Sequence, residues 1–353
     1  MRDRQCANMT KAKGMLPPRV KTSTSYDVAQ LAGVSQSAVS RCFRPGSSIA
    51  PKTRARVEAA ARQLGYHPNA MASGLITKRS HLVAVMISNL TNLYYPEVLA
   101  EITRRLSDLG IRVLLFALQA ESDVDTLLDQ VWRYRVDGAI VAARLSPEQL
   151  REFAARRVPV ILYNRFGEGE PVASVCCDSV GGERQLIDGL VAAGHKVFGI
   201  LTGPDDSYVS QERVRGAMQR LTELGCQSVV AQGAFDYASG EAGLHTLMKI
   251  TDRQLDALVC ANDLMAIGAI DCARTQFNLD VPRDLSIVGF DGVAPAMWAS
   301  YKVSTIRQPV RRMTEAAVSM LMERIEDPEL PPEVRTFAGK LIEGASARLL
   351  PAK

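Results

Sequence analysis

Gln36, Ser37, Ser40 and Arg41 fall within one short stretch that also holds the apolar pair Ala38 and Val39. Their types cover both halves of hydrogen-bond chemistry: an amide and hydroxyls that donate and accept, and a guanidinium that donates in a planar fork. On the outer face of a short helix, such a set suits base edges and phosphates in a major groove. A second set of polar residues stands directly after apolar runs: Ser88 to Pro96 (SNLTNLYYP), Tyr163 to Arg165 (YNR), Cys177 with Asp178, Thr202 to Asp206 (TGPDD), Ala261 to Asp263 (AND) and Phe290 to Gly292 (FDG). Each alone fits a turn or a helix cap as well as a site. Together they supply acids, amides and the aromatic faces of Tyr94 and Tyr95, a mixture that binds hydroxyl-rich small molecules.

The first set requires two short helices joined by a turn, and Thr24 to Arg41 (TSYDVAQLAGVSQSAVSR) provides them. Thr24 can cap the first helix while Asp27, three residues on, places a negative charge in its first turn. Val28, Leu31 and Ala32 form its apolar stripe. Gly33 tolerates the left-handed conformation that ends it, and Ser35 can cap the second helix, which turns Ala38 and Val39 inward. A third helix is predicted from Pro51 to Leu64, with Val57, Ala60, Ala61 and Leu64 inward and Gly65 as its stop. Residues 1–22 lack periodicity and contain Pro17 and Pro18, which predicts a disordered basic extension, with Met9 or Met15 as alternative starts. Asn69 to Thr77 (NAMASGLIT) is too short for a stable helix by itself, and Gly74 costs it about 1 kcal/mol more, so it should order only on binding.

The second set belongs to a different texture. From His81 onward, apolar strands such as HLVAVMIS, RVLLFAL (from Arg112), GAIVAA (Gly138), VPVILYN (Val158), KVFGILTG (Lys196), DALVCAND (Asp256) and LSIVGFD (Leu285) alternate with helical stretches starting near Pro96, Ser122, Ser146, Ser179, Ser210, Gly240, Met265 and Val310. This alternation predicts parallel sheets covered on both faces, with ligands at the carboxyl ends of the strands.

Charge separates the same two regions. Up to Ser80 there are fourteen basic residues against three acidic, a net of +11, whereas the remainder has 28 basic against 35 acidic and a net of −7. The basic end is suited to a polyanion. No apolar run approaches the roughly 18 residues needed to cross a bilayer, and the basic N-terminus has no apolar stretch after it to make a secretory signal, so a cytoplasmic protein without membrane partners is expected. The seven cysteines form neither a metal pattern nor a disulfide framework, and the four histidines, His67, His81, His195 and His245, are far apart, so neither a metal nor a cofactor is expected. GxGxxG, Walker and GxSxG patterns are absent, which weighs against an enzyme of the doubly wound class.

From Thr24 to the C-terminus the chain resembles the lactose-repressor (LacI/GalR) family of bacterial transcription regulators. The resemblance rests on YDVAQLAGVSQSAVSR, PKTRARVEAAARQLGYHPNAMASGL, Ser210-Arg213-Gly216 as S-x-x-R-x-x-G, AND, VGFD, and TIRQP at Thr305 to Pro309. It implies an N-terminal all-α helix-turn-helix domain (residues 23–67), a hinge helix (68–79), and an α/β core (80–353) of two interleaved, doubly wound Rossmann-like subdomains in the periplasmic-binding-protein manner. Gln36, Ser37 and Arg41 would then contact bases, and Tyr26, Ser35 and Thr53 phosphates. Two hinges, one per subunit of a homodimer, would pair in the minor groove through Asn69, Ala72 and Leu75, with the leucine as a wedge between base pairs.

In the core, the resemblance implies Arg213, Asn262 and Asp291 as ligands to a sugar or similar polar metabolite, Phe235 as a stacking surface and Gln308 as a pocket wall. Tyr94, Tyr95, Asn164 and Asp178 join them, and a core salt bridge is the alternative role for Arg213. The chain departs from the family pattern at Ala50, Arg44, Ser73 with Gly74, Leu93 and Gly344. The function expected is a repressor of a near-palindromic double-stranded operator under effector control. The alternative is a sugar-binding protein without DNA regulation.

Overall fold

The computed structural model describes residues 23–44, 46–67, 79–88, 90–119, 123–167 and 169–350. It divides into two compact units, residues 1–78 and 79–353. Asn69, Ala72 and Leu75 lie outside the described residues.

The first unit holds α1 (Ser25–Ala32), α2 (Gln36–Cys42) and α3 (Pro51–Leu64). Thr24 and Asp27 form a reciprocal capping box, with the Thr24 backbone N–H donating to Asp27 Oδ2 at 2.7 Å and the Asp27 N–H to Thr24 Oγ1 at 3.3 Å. Gly33 leaves α1 in the left-handed region at φ 62°, and Ser35 accepts from the Ala38 N–H at 3.3 Å. Val28, Ala29, Ala32, Val39, Cys42, Val57, Ala60 and Ala61 close one small core. The stripe predicted on α1 is corrected at one position: Leu31 is 47% exposed, and Ala29, with Val28 and Ala32, faces the core that the three helices share. Leu64 packs against the edge of this core without being fully buried.

The second unit contains two six-stranded sheets. The first is built from β1 (Leu82–Ser88), β2 (Arg112–Leu118), β3 (Gly138–Ala142), β4 (Val160–Tyr163), β5 (Ala173–Cys177) and β11 (Val334–Phe337), all parallel, in the order β2-β1-β3-β4-β5-β11. Its helices are α4 (Tyr94–Asp108), α5 (Val124–Arg133), α6 (Pro147–Ala155) and α11 (Val310–Glu326). The second sheet runs β7 (Gln227–Ala231), β6 (Val197–Leu201), β8 (Ala257–Cys260), β9 (Ser286–Asp291), β10 (Ser304–Arg307) and β12 (Lys340–Ile342), parallel except for β12. Around it lie α7 (Ser179–Ala192), α8 (Tyr208–Glu223), α9 (Tyr237–Ile250) and α10 (Asp263–Thr275).

Both sheets are doubly wound, as expected from the strand and helix alternation, and each reverses strand order beside its first strand, where ligands bind in this architecture. The chain crosses between them after β5, after β10 and after β11, so neither subdomain is continuous in sequence. Five strands are not among the apolar runs that stand out in the sequence. The edge strands β7, β11 and β12 are short, three to five residues, and mix polar with apolar residues, whereas β5 and β10 bury Ser174, Ser304 and Thr305, which interrupt the apolar signal. Several helices start two or three residues earlier than the apolar period indicates, because Ser207, Asp236 and Asn262 cap them. Gly344 has a local reason: a Cβ there would collide with the Lys302 carbonyl oxygen.

Ala50 precedes α3 in the capping position, where its φ of −57° and ψ of 135° suit a cap but its side chain supplies none. Ala50→Ser is expected to stabilise the first unit by about 1 kcal/mol. Urea unfolding of the full chain followed by amide exchange in α3 measures this, and unchanged protection would contradict it.

Candidate functional site

Two sets of side chains meet the chemistry anticipated from the sequence, one in each unit. In the first unit, Gln36, Ser37, Ser40 and Arg41 all lie on the exposed face of α2. Ser35 Oγ and Ser37 Oγ are 2.9 Å apart, and Gln36 Nε2 donates to Ser25 Oγ at 3.3 Å, so local bonds hold these groups on the surface. Tyr26 is 73% exposed and Thr53 half-buried in the first turn of α3. Not every cation counted in the basic end is free to meet a polyanion. Arg54 Nη1 donates to the Cys42 carbonyl at 2.8 Å, and Arg56 Nη2 to the carbonyls of Ala32 and Gly33 at 2.6 and 2.8 Å. These two arginines tie α3 to the negative ends of α2 and α1. Arg41, Arg44, Lys52 and Arg62 remain exposed around the same unit.

In the second unit, Asn92, Tyr94, Tyr95, Asn164, Arg165, Ser207, Val209, Arg213, Phe235, Asp291 and Gln308 line one cleft between the sheets. Its polar groups are bonded to one another. Arg213 Nη2 donates to Asp291 Oδ1 at 2.7 Å, Gln308 Nε2 donates to the same oxygen at 2.7 Å, and Asn164 Nδ2 donates to Gln308 Oε1 at 2.9 Å. Asn164 belongs to the first subdomain, Arg213 and Asp291 to the second, and Gln308 to the crossover after β10. The chain of bonds therefore spans both. Tyr94 extends it, its hydroxyl 3.3 Å from Asn164 Nδ2 and 3.2 Å from the Tyr163 hydroxyl, while Cys177 donates its N–H to Asn164 Oδ1 at 2.8 Å.

Arg213 is further held by the Ala261 carbonyl at 2.5 Å and by the face of Phe290, 3.9 Å from its Cζ. The pair Arg213–Asp291 is thus a buried salt bridge, the alternative raised for Arg213, and at the same time lines the cleft. Asn164 and Asp291 both have positive φ, 52° and 116°, unusual backbone for side-chain-bearing residues and typical of places where a functional group is aimed. With its groups so engaged, the cleft has a volume of only about 10 Å³.

Burial, the largest cause in each case, pushes the Tyr94 and Tyr163 phenols well up, so both stay neutral hydroxyls. Burial, and after it the neighbouring Asp291 charge, raises Asp263 to about 7 against hydrogen bonds from Thr305 and the backbone N–H groups of Val293 and Gly292. Thr305 Oγ1 donates to Asp263 Oδ1 at 2.6 Å and the Val293 N–H to Oδ2 at 2.8 Å. Asp263 thereby fixes the turn that carries Asp291.

Residues 24–69 match the family described as bacterial regulatory proteins, lacI family, and residues 187–347 match the periplasmic binding protein-like domain. The transcriptional regulator DegA of Bacillus subtilis (strain 168) is 31% identical over 302 residues, 82% of this chain and 88% of its own. The regulator AscG of Escherichia coli (strain K12) is 30% identical over 332 residues, 91% and 97% of the two chains. The chain belongs to the lacI family. It is a DNA-binding transcriptional regulator. A solved lac repressor dimer bound to operator and the anti-inducer ONPF has the same fold, with a TM-score of 0.82 at 28% identity over 92% of this chain and 99% of that one. No helix among the described residues is long and apolar enough to cross a membrane.

The cleft of this lacI-family regulator gathers Tyr94, Tyr95, Asn164, Arg213, Phe235, Asp291 and Gln308. It does not gather Asn262 and Asp178, the other two residues expected as ligands. Asn262 caps α10, accepting from the Met265 N–H at 3.0 Å and donating to the Phe235 carbonyl at 2.9 Å, so both ends of its amide are engaged beside the loop that carries Phe235. Asp178 caps α7 through the Gly181 N–H at 2.8 Å and lines an adjoining cavity of about 280 Å³ that shares Asn164 and Val209 with the cleft and is lined also by Phe166, Cys176, Tyr208 and Arg215. Asn92, Arg165 and Ser207 line the cleft without being among the expected ligands, although Asn92 and Arg165 stand within the strand-end segments SNLTNLYYP and YNR.

Asn164→Ala removes the buried bond across the cleft and leaves Gln308 Oε1 and the Cys177 N–H without their buried partner. It is expected to cost about 2 kcal/mol of core stability. Urea unfolding of the full chain measures this, and a cost near zero would mean that the bond across the cleft carries no weight.

Proposed function

We propose that this regulator is a homodimeric repressor of a near-palindromic operator, controlled by a small polar metabolite bound between the core subdomains. The observation that carries the proposal is the run of hydrogen bonds from Arg213 through Asp291 and Gln308 to Asn164. A ligand that enters the cleft must replace these bonds with its own, and replacing them changes how one subdomain is held against the other. Planar amides, a paired arginine and aromatic faces suit a sugar, a sugar acid, or a nucleoside or base. Because Arg213 is already matched by Asp291, a ligand with little net charge is favoured within that group.

In this reading residues 1–22 are a basic extension, 23–67 read DNA, 68–79 form the hinge and 80–353 bind the effector and dimerise. Gln36, Ser37 and Arg41 contact bases, Tyr26, Ser35 and Thr53 contact phosphates, and Asn69, Ala72 and Leu75 enter the minor groove when two hinges pair. A dimer fits the apolar groups left on the core surface, Leu115 on the edge strand β2 and Met297 with Trp298 after the turn that follows β9. A twofold dimer carries two identical readers, hence two related half-sites.

The purified protein is expected to retard its own promoter fragment or a neighbouring one in a gel, with affinity falling steeply as salt rises. Arg41→Ala should lose about 1–3 kcal/mol per half-site and relax preference at one base pair, while Thr53→Val should weaken binding to all sequences alike. No salt-sensitive, sequence-dependent retardation of any nearby promoter would sink the proposal. In a thermal-shift screen of sugars, sugar acids, nucleosides and bases, a ligand at 100 times its Kd should stabilise the core by about 2.7 kcal/mol.

A further inference from the structure

Behind the Arg213–Asp291 pair lies a carboxyl group with no partner. Glu183, in the second turn of α7, is 1% exposed, and neither of its side-chain oxygens has a hydrogen-bond partner. α7 packs closely on α8, where a Cβ at Gly216 would come within 3.3 Å of the Glu183 Cβ. Gly216 stands three residues after Arg213, so Glu183 is held against the side of α8 that bears the guanidinium. Its neighbour Gly182 lies against the Phe290 ring, the same ring on which Arg213 is stacked. Unmet bonding extends to the pair itself: Arg213 Nε and Asp291 Oδ2 are buried and unpartnered. Buried polar groups are nearly always satisfied, and here a spare donor, a spare acceptor and an unbonded carboxyl share one place.

We propose that Glu183 is a positioning residue for Arg213, competing with Asp291 for the guanidinium and thereby setting which way it faces the effector cleft. While Arg213 is bound to Asp291, Glu183 is a neutral carboxyl. When a ligand takes Asp291, Arg213 turns to Glu183, which ionises and releases its proton to water. Ligand binding then strengthens as pH rises. This consequence rests on the effector cleft proposed above, but the competition among the three side chains does not.

Burial is the main cause that pushes the Glu183 carboxyl up, to about 8, with Arg213 opposing and Asp291 reinforcing. Cys260 on β8 also faces it, its thiol raised first by burial and then by Glu183. On the other elements packed against α7, Arg307 of β10 is bonded to the Gly292 carbonyl and to Glu97, and Lys340 of β12 is exposed. Glu183 therefore holds a proton in the folded chain that it loses on unfolding near neutral pH. The stability contributed by that proton is fully present below the unfolded value and is lost as pH rises through about 8.

The test uses the full chain without ligand. Infrared titration should find, in the difference between wild type and Glu183→Gln, a protonated carboxyl band that vanishes near pH 8, whereas the band of Asp263, which titrates near 7, is common to both and cancels. In urea, Glu183→Gln should gain on the wild type as pH rises from about 5 to 9. Asp291→Asn should lower the midpoint of the band by roughly one pH unit or more as Arg213 turns, and Arg213→Gln should raise it. Parallel pH–stability profiles for wild type and Glu183→Gln, or a midpoint unmoved by Asp291→Asn, would overturn the proposal. Since no ligand enters these measurements, their failure leaves the effector reading standing, and failure of every ligand to bind would leave the Glu183 result intact.

Discussion

Arg213 and Asp291 form an ion pair withdrawn from water, and each donor or acceptor of such a pair left unmatched costs stability; only Arg213 Nε and Asp291 Oδ2 are left so here. Much of the core is arranged to match the others. β8 ends so that the Ala261 carbonyl meets one guanidinium nitrogen, Phe290 lies flat beneath the same group, and Asp263 pins the turn that gives Asp291 its positive φ. The crossover after β10 brings Gln308 to the second subdomain's carboxylate and, through its other end, to Asn164 of the first. Breaking any bond in this run leaves a buried polar group unpaired, which costs more than the bond itself contributes.

That constraint explains why a protein of this architecture can respond to a small molecule. Two doubly wound sheets exchange chain three times, so their relative position is set by short crossovers and by whatever bridges the cleft. Its own side chains fill that role when their amides and charges meet each other. In the proposed function, a ligand of suitable hydrogen-bonding pattern competes with them on equal chemical terms, and the difference is expected in the position of the subdomains. The DNA-reading unit needs no such device: its helices are fixed by a capping box, two left-handed glycines and the arginines Arg54 and Arg56 on neighbouring helix ends.

Local chemistry is the legible part of the sequence. Thr24 with Asp27, Gly33 and Ser35 announce helix ends because caps depend on residues three or four apart. Long apolar runs announce the buried parallel strands for the same reason of range. Leu31 is misplaced by periodicity because its burial depends on how closely three helices approach, which no spacing on one helix encodes. The edge strands and the polar strands β5 and β10 are hidden by residues whose partners lie far away in sequence, such as Ser304 with Ser346. Asp178 and Asn262 are recognisable as polar strand-end residues, but whether such a residue caps a helix or faces a ligand is decided by the turn geometry. Glu183 gives no signal at all: in GGERQ it has the look of a solvated helix charge, and only the packing of α7 on α8 takes it out of water.

The central claim is that effector and operator are linked through the core. Reciprocal affinities measure this most directly, using the compound that most stabilises the protein in the ligand screen. Operator affinity is determined without and with saturating compound, and compound affinity without and with saturating operator. The account requires the two ratios to be equal and to differ from one by roughly 5-fold to 150-fold. A compound that binds the cleft tightly and leaves operator affinity unchanged would contradict it.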